Sequence, residues 1–273
     1  MLIMSIISCK IMQDEIIWIL KNDSSIDEII VVENENIREF VEKLNKVDIQ
    51  HQILPIEKIF SLIKTGNEND KYIVLVHLMK LGLHKSPKEL KNKVYETIKI
   101  LTSLSSGIMV FYGLCGNVLG DIEKDFEVNS HSCPVRILRD KKHRIVDDCI
   151  GATVGGVDNY LRILKSVSDA GTYLFTPMYS QGWREVLDLD NRAYGKDPLK
   201  ALKMLKKLHE MVGYKRVAKI NTGLEYTENF DEAIREFAEI FDFDILEFDD
   251  GNQKIFEDCY NELRVEIGTS KSG

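Results

Sequence analysis

Three cysteines follow apolar segments of the chain, at positions where a thiol can meet a ligand. Cys9 comes after the apolar run Leu2–Ile7, Cys115 lies in the turn YGLCGN after Gly107–Phe111, and Cys149 lies in DDCIGATVGG. In an open parallel sheet, ligands bind beyond the carboxyl ends of the strands. If the apolar runs are strands of one such sheet, the three thiols lie at the same edge and can approach one another.

This grouping predicts a metal site. Thiolates are ligands for zinc and for iron–sulfur clusters, and a histidine, a carboxylate or an external ligand can complete the set. We predict that His84, in the loop LGLHKSP, or Asp148 joins Cys9, Cys115 and Cys149. The five cysteines contain no C-x-x-C pair, so the site must be assembled from distant parts of the chain. The simpler alternative is three buried free thiols.

A glycine-rich segment after Cys149 indicates a second kind of chemistry. Gly151, Gly155 and Gly156 permit positive φ angles or a close approach of the backbone to a ligand. The spacing fits neither a P-loop nor G-x-G-x-x-G, but a helix that begins here can bind an anion with its first N–H groups. The second hypothesis is a small-molecule enzyme that binds an anionic ligand here and uses Cys115 as a reactive thiol. The third is a non-catalytic partner protein with structural thiols.

The elements that must position these residues alternate along the chain. Apolar runs typical of buried strands are separated by stretches with helical periodicity. The clearest strands are Leu2–Ile7, Glu28–Val32, Tyr72–Val76, Gly107–Phe111 and Arg216–Ile220. This pattern predicts an α/β fold with a mostly parallel, doubly wound sheet and helices on both faces. We expect one domain over residues 1–265, or two lobes around a cleft divided near residue 105, and a disordered tail over 266–273.

Composition narrows the classes of function. The chain has 273 residues and a net charge of −8, which argues against a nucleic-acid-binding protein, because such proteins usually present a basic face. No apolar run approaches the ~18 residues of a membrane span. An odd number of cysteines, five in all, argues against a disulfide framework and favours the cytoplasm.

Three further predictions concern the surroundings of the thiols. Cys133 precedes a proline at the entry to a strand and Cys259 lies on the last amphipathic helix, so we expect both away from the site. Trp183 and the segment Met178–Gly182 follow a strand end and a proline. We expect them to form a loop that covers the cleft, because such loops often exclude water from a site. The two glycines of YGLCGN should let the backbone bend tightly.

An ordered set of segments resembles a known family. They are IISCKIMQDEI, LGLHKSPKEL, FYGLCGN, DDCIGATVGG, GTYLFTP, YKRVAKINTG and FDFDILEFDDGNQKIFEDCYNEL. Together they resemble the uncharacterised archaeal and bacterial family of domain of unknown function 1638, over roughly residues 3–263. No single segment is decisive, but the order of the whole set is specific.

The resemblance implies a site and a setting. Members of the family are similar in keeping cysteines at the positions of Cys9, Cys115 and Cys149. Two departures stand out: Asp147 replaces a histidine that the family tends to have, and Asn221 replaces the aspartate of an Asp-Thr-Gly turn. The resemblance implies a cytosolic protein of an anaerobe that handles a metal or cluster or assists corrinoid-dependent methyl transfer. Its partner would be a corrinoid protein or a methyltransferase.

Overall fold

The computed structural model of the protein describes residues 1–65, 71–127, 133–187 and 197–269. Within these ranges the strands form two separate parallel sheets, of six and three strands. The strands are β1 Leu2–Cys9, β2 Glu28–Val32, β3 Gln52–Leu54, β4 Tyr72–Met79, β5 Gly107–Phe111, β6 Val135–Ile137, β7 Gly171–Phe175, β8 Tyr214–Ile220 and β9 Asp244–Phe248.

The helices connect these strands and begin where the sequence supplies a start. Pro87, Pro177 and Pro198 each occupy the first turn of a helix, where the missing N–H costs nothing. The helices are α1 Gln13–Asn22, α2 Arg38–Lys46, α3 Ile56–Thr65, α4 Pro87–Leu101, α5 Ile122–Glu127, α6 Cys149–Thr153, α7 Val157–Ser166, α8 Pro177–Val186, α9 Pro198–Val212, α10 Phe230–Phe241 and α11 Lys254–Thr269, with short 3-10 helices at Lys10–Met12 and Leu83–Lys85. None of the helices in the described ranges is both long and apolar enough to cross a membrane.

The larger sheet confirms the predicted α/β fold. Its strands pair in the order β3-β2-β4-β1-β5-β6, and every pair is parallel. The central strand β1 is buried over almost its whole length, because helices cover both of its faces.

Two side-chain hydrogen bonds show that α4 and α11 lie on opposite faces of the larger sheet. Thr97 of α4 donates a hydrogen bond to the Met79 sulfur at 3.8 Å, and Tyr260 of α11 shares a hydrogen bond of 2.7 Å with Tyr72. Tyr72 and Met79 begin and end the same strand and are an odd number of residues apart, so their side chains point to opposite faces. The sheet is therefore doubly wound, as predicted.

The strand order creates a crevice beside β1. The chain leaves β1 through α1 toward β2 on one side of the sheet, and it leaves β5 toward β6 on the other side. The loops after β1 and β5 therefore diverge at the carboxyl ends of two neighbouring strands. Open α/β sheets bind their ligands in such a crevice.

The second sheet has the order β7-β8-β9 and an apolar cluster of its own. The division between the sheets falls after β6, rather than near residue 105. A division at residue 105 would separate β1 from β5, with which it pairs from Met4↔Gly107 to Ser8↔Phe111.

Helix α11 extends past residue 265, where the sequence suggested that the folded part ends. Ile267 is buried, and a Cβ atom added at Gly107 would lie 2.6 Å from its Cγ2 atom. The end of α11 thus packs directly on β5, which explains why the helix continues. Residues 270–273 lie outside the described residues.

Thr227 links the second sheet to an ion pair between α1 and α2. Lys43 of α2 donates to the Asp14 carboxylate at 2.6 Å, and Thr227, in the loop after β8, donates to the other carboxylate oxygen at 2.7 Å. The Asp14 side chain is 3% exposed. The loop after β8 therefore contacts the start of α1.

The segment Met178–Gly182 is helical, which corrects the expectation of a covering loop. It belongs to α8, which Thr176 caps by accepting a hydrogen bond from the Tyr179 N–H. Trp183 is 1% exposed and packs edge-on against Phe237. The tryptophan is thus part of the core of the second sheet, although Tyr179 of the same helix does reach the crevice.

Candidate functional site

The crevice between β1 and β5 opens into a cavity of about 380 Å³. We call it the thiol cavity, because three cysteines line it. Its polar lining residues are Cys9, Tyr112, Cys115, Asp147, Asp148, Cys149 and Tyr179, and its apolar ones include Met12, Leu83 and Ile150. The sequence-predicted residues Cys9, Cys115, Cys149 and Asp148 are therefore brought together.

Each thiol reaches the cavity from a different loop. Cys9 ends β1 and is 8% exposed. Cys115 lies in the turn after β5 with a φ of +45°, a left-handed conformation that non-glycine residues rarely adopt. Cys149 is the first residue of α6, which Asp148 caps. The six-stranded sheet thus fixes Cys9, whereas the other two thiols depend on how their loops meet.

Two backbone hydrogen bonds hold these two loops together. The Leu114 N–H donates to the Val146 carbonyl at 2.8 Å, and the Cys115 N–H donates to the Asp147 carbonyl at 3.0 Å. Gly113 makes this contact sterically feasible, since a Cβ atom there would lie 2.5 Å from the Val146 oxygen. The glycine is needed at this position for close approach of two backbones.

Substitution of Gly113 by alanine is expected to destabilise the protein by about 1–3 kcal/mol, because the new methyl group overlaps backbone atoms that cannot move independently. Urea unfolding measures this change. Gly268→Ala is the matched control, since no atom lies within 4 Å of a Cβ built there. Equal stabilities of the two variants would show that the loops separate at little cost.

Burial keeps all three thiols neutral. Desolvation raises the pKa of Cys9 to about 11, and desolvation followed by the charge of Cys9 raises that of Cys115 to about 12. Desolvation, Asp148 and the two other thiols raise the pKa of Cys149 well above its ordinary value. Each pair of thiols is thus close enough for the charge on one to disfavour ionisation of the other.

Asp148 has a structural role as well as a place in the cavity. It accepts hydrogen bonds from the Gly151 N–H and the Tyr160 hydroxyl, both at 2.8 Å. Burial nevertheless raises the pKa of its carboxyl. Because the carboxyl is fixed by these two donors, its orientation toward Cys149 is set before any ligand arrives.

The three glycines proposed to bind an anion have other contacts in the structure. The Gly151 N–H already donates to Asp148, and α6 is only five residues long. Gly155 packs against Asn252, and Gly156, with a φ of +112°, packs against Asp140. The Asp148 carboxyl thus already occupies the N–H group that an anion would need at the start of α6.

His84, Cys133 and Cys259 either lie away from the thiol cavity or have a side chain that the structure does not describe. His84 belongs to the 3-10 helix Leu83–Lys85, but its side chain is outside the part of the chain that the structure describes. Cys133 and Cys259 are buried and do not line the thiol cavity. Cys259 instead accepts a hydrogen bond from the Arg139 N–H at 3.4 Å.

The thiols do not yet form a closed metal site. Among the described residues, no three histidine, cysteine, aspartate or glutamate side chains converge closely enough to hold one ion. The donor types suit a soft metal, but the present positions do not. At least one side chain would therefore have to move for three thiols to bind the same ion.

Three residues in or beside the thiol cavity were not predicted from the sequence. Tyr112 lies directly after β5 and lines the cavity, and Tyr179 reaches it from α8. Glu15 is 3% exposed on α1 and influences the pKa of Cys149. The position of Tyr112 at a strand end was a usable signal, whereas the burial of Glu15 depends on distant residues such as Thr153 of α6.

The fold and the cavity define a doubly wound α/β protein with a cysteine-lined cavity. The family described as "Protein of unknown function (DUF1638)" matches residues 78–260, and the chain belongs to this family. The matched segment contains Cys115 and Cys149, whereas Cys9 precedes it. Comparison with curated proteins and with solved structures found no match for the chain.

Proposed function

We propose that this protein binds a soft metal ion or a metal cluster in the thiol cavity. The observation that carries the proposal is that Cys9, Cys115 and Cys149 line one cavity at the switch point of the larger sheet. Zinc and iron–sulfur clusters are the candidates, because thiolates bind both. Asp148, which lines the same cavity, is the carboxylate proposed to complete the set.

Binding would require the thiols to lose their protons. Because burial keeps them neutral, a metal must displace a proton from each sulfur that it binds. Neutral thiols carry no charge to repel one another while the site is empty, so the loops can hold three of them in one cavity. The metal then supplies the positive charge that makes three adjacent thiolates stable.

Titration of the metal-free, anaerobically purified chain with Cd²⁺ tests this function. Cd²⁺ is a soft probe whose thiolate complexes absorb in the ultraviolet. Replacing Cys115 by serine is expected to weaken Cd²⁺ binding about 10- to 100-fold, because a hydroxyl is a poor ligand for soft metals.

Cys259→Ser is the matched control for this titration. Cys259 is also buried, but it contacts the Arg139 backbone and lies outside the cavity. A serine hydroxyl can keep these contacts, so Cd²⁺ affinity should stay at that of the parent. Unchanged stoichiometry and affinity in Cys115→Ser would remove Cys115 from the site and contradict the proposal.

The setting of this function follows from the thiols and the family resemblance. No disulfide joins any of the cysteines, all of which lie within the described ranges, and this supports a reducing compartment and so the cytoplasm. The partner implied by the resemblance, a corrinoid protein or methyltransferase in an anaerobe, stays a prediction.

A reactive thiol is the second candidate function, and the backbone of Cys115 favours it. Residues held at positive φ after a strand occur at nucleophiles and other functional turns. However, a pKa of about 12 leaves Cys115 protonated at neutral pH, and the protonated thiol is a weak nucleophile. The rate of iodoacetamide alkylation separates the two candidates: a fast reaction at Cys115 near neutral pH would favour the enzyme.

A further inference from the structure

Tyr112 places a buried hydroxyl in the wall of the thiol cavity, against Cys9. Its side chain is 3% exposed and lines the cavity at the end of β5. The Cys9 thiol is close enough to interact with the hydroxyl, but neither it nor any other residue that the structure describes meets the hydroxyl in hydrogen-bonding geometry. Buried hydroxyls are almost always paired, and an exception calls for a functional explanation.

Other buried tyrosines of this fold do find partners. The Tyr72 hydroxyl lies 2.7 Å from that of Tyr260, which in turn donates to Asp23 at 2.8 Å. Tyr160 donates to Asp148 at 2.8 Å. The hydroxyl of Tyr112 thus differs from these, because its neighbour in the cavity wall is the Cys9 thiol and not a hydroxyl or carboxylate with which it pairs.

The charges around the cavity limit what can occupy it. Among the described residues that line it, two are aspartates and none is lysine, arginine or histidine. The three thiols and Tyr112 are neutral, since burial raises their pKa values. An anion would therefore find no opposite charge in the lining, whereas an uncharged or cationic ligand avoids this cost.

We propose that the Tyr112 hydroxyl binds an oxygen atom carried by the soft centre of an uncharged or cationic ligand in the thiol cavity. The inference rests on the proposed function and adds to it a hydrogen-bonding position beside the sulfurs. Few, well-placed polar groups of this kind orient ligands in otherwise apolar pockets.

Arsenous acid, As(OH)₃, is a probe with these properties. It is uncharged near neutral pH, reacts with thiols and carries hydroxyl groups. When two thiols bind it, two As–S bonds form, two As–O bonds break, and each thiol proton leaves with a hydroxide as water. The arsenic keeps its oxidation state, and the third hydroxyl remains to bind Tyr112.

Melting temperatures of the ligand-free chain give the first test, with Tyr112→Phe compared with Tyr72→Phe. Removing an unpaired buried hydroxyl is expected to raise the melting temperature, by about 2–4 °C. Removing the paired hydroxyl of Tyr72 is expected to lower it, because Tyr260 then loses a partner. A lower melting temperature for Tyr112→Phe would show that the hydroxyl is paired within the protein and overturn the inference.

Calorimetric titration gives the second test. Tyr112→Phe is expected to bind arsenous acid about 3- to 10-fold more weakly than the parent, whereas Tyr72→Phe should bind it as the parent does. Tyr112→Phe should lose less affinity for Cd²⁺ than for arsenous acid, because the thiols stay in place.

The outcomes separate this inference from the proposed function. An unchanged affinity of Tyr112→Phe for arsenous acid, or an equal loss for arsenous acid and Cd²⁺, overturns the role of Tyr112. A parent protein that binds Cd²⁺ but not arsenous acid overturns the inference and leaves the proposed function in place. A parent protein that binds neither probe overturns the proposed function itself.

Discussion

Raising the pH by one unit near neutrality is expected to tighten Cd²⁺ binding by about 1,000-fold. Each thiol that binds the metal must release a proton, and each released proton multiplies the affinity by about ten per pH unit. The pKa values of about 11 for Cys9 and about 12 for Cys115, and the still unfavourable ionisation of Cys149, keep all three thiols protonated over this range. The change in Cd²⁺ affinity per pH unit, the slope, therefore gives the number of thiols that bind the metal.

Competition with a chelator of known affinity measures this slope. Cys115→Ser should reduce it to about 100-fold per pH unit, because two thiols then remain. Cys259→Ser should leave it unchanged, since that thiol contacts the Arg139 backbone outside the cavity. A slope of tenfold or less in the parent protein would mean that no more than one of the thiols releases a proton.

The meeting of the three thiols could be predicted because it follows from one rule. Parallel strands present their carboxyl ends at one edge, and Cys9 and Cys115 come directly at or after the ends of β1 and β5. Those strands read as buried apolar runs, so their positions were plain in the sequence. The doubly wound sheet was predicted on the same grounds.

The division into two sheets could not be predicted, because it depends on pairing over long distances. Local periodicity shows that β5 is a strand but not that it pairs with β1, about a hundred residues earlier in the chain. The same limit explains why the sequence allowed a boundary between two lobes near residue 105. Nothing in the local pattern distinguishes the six strands of one sheet from the three of the other.

Helix α8 shows a different kind of error. Thr176 and Pro177 are a cap and a first-turn proline, which are ordinary signals for a helix start. The expectation of a loop over Met178–Gly182 rested instead on the strand end and the proline that precede it. The structure explains Gly182, because a Cβ atom at this position would lie 2.3 Å from the Leu81 side chain. Close packing, rather than a turn, requires it.

The start of α1 shows why the residues that surround the site were only partly predicted from the sequence. Gln13, Asp14 and Glu15 look like the solvated first turn of a helix, yet all three are buried. Thr227, in the loop after β8, contacts Asp14, and Thr153 of α6 contacts Glu15. Since these contacts come from residues more than a hundred positions away, the burial of Glu15 cannot be read from its neighbours.

Replacing Glu15 by glutamine is expected to raise the free energy of unfolding by about 2–4 kcal/mol at pH 8 and above, and to change it little at pH 4. Burial, and next the charge of Asp14, raise the pKa of Glu15 from 4.5 to about 8. The folded protein therefore keeps a proton that the unfolded chain loses near pH 4.5. Stability from this group is fully present below that pH and is lost as the pH rises toward 8.

The size of the effect follows from the width of that window. At 1.36 kcal/mol per pH unit, a change from 4.5 to about 8 corresponds to about 5 kcal/mol as an upper value, which water penetration reduces. Glutamine keeps the volume of the side chain and can still accept from the Thr153 hydroxyl, which lies 3.5 Å away. Urea unfolding at several pH values measures the difference between the parent and Glu15→Gln.

Glu57→Gln on the exposed side of α3 is the control for this experiment. Its carboxyl is solvated, so the substitution should leave the pH dependence of stability as in the parent.

If the parent and Glu15→Gln lose stability equally between pH 5 and 8, Glu15 is ionised in the folded protein. The start of α1 would then have to hold two carboxylates, Asp14 and Glu15, against the single buried ammonium group of Lys43. Such an excess of buried negative charge near Cys149 would raise the energy of every thiolate in the cavity, and so weaken the binding that the proposed function requires.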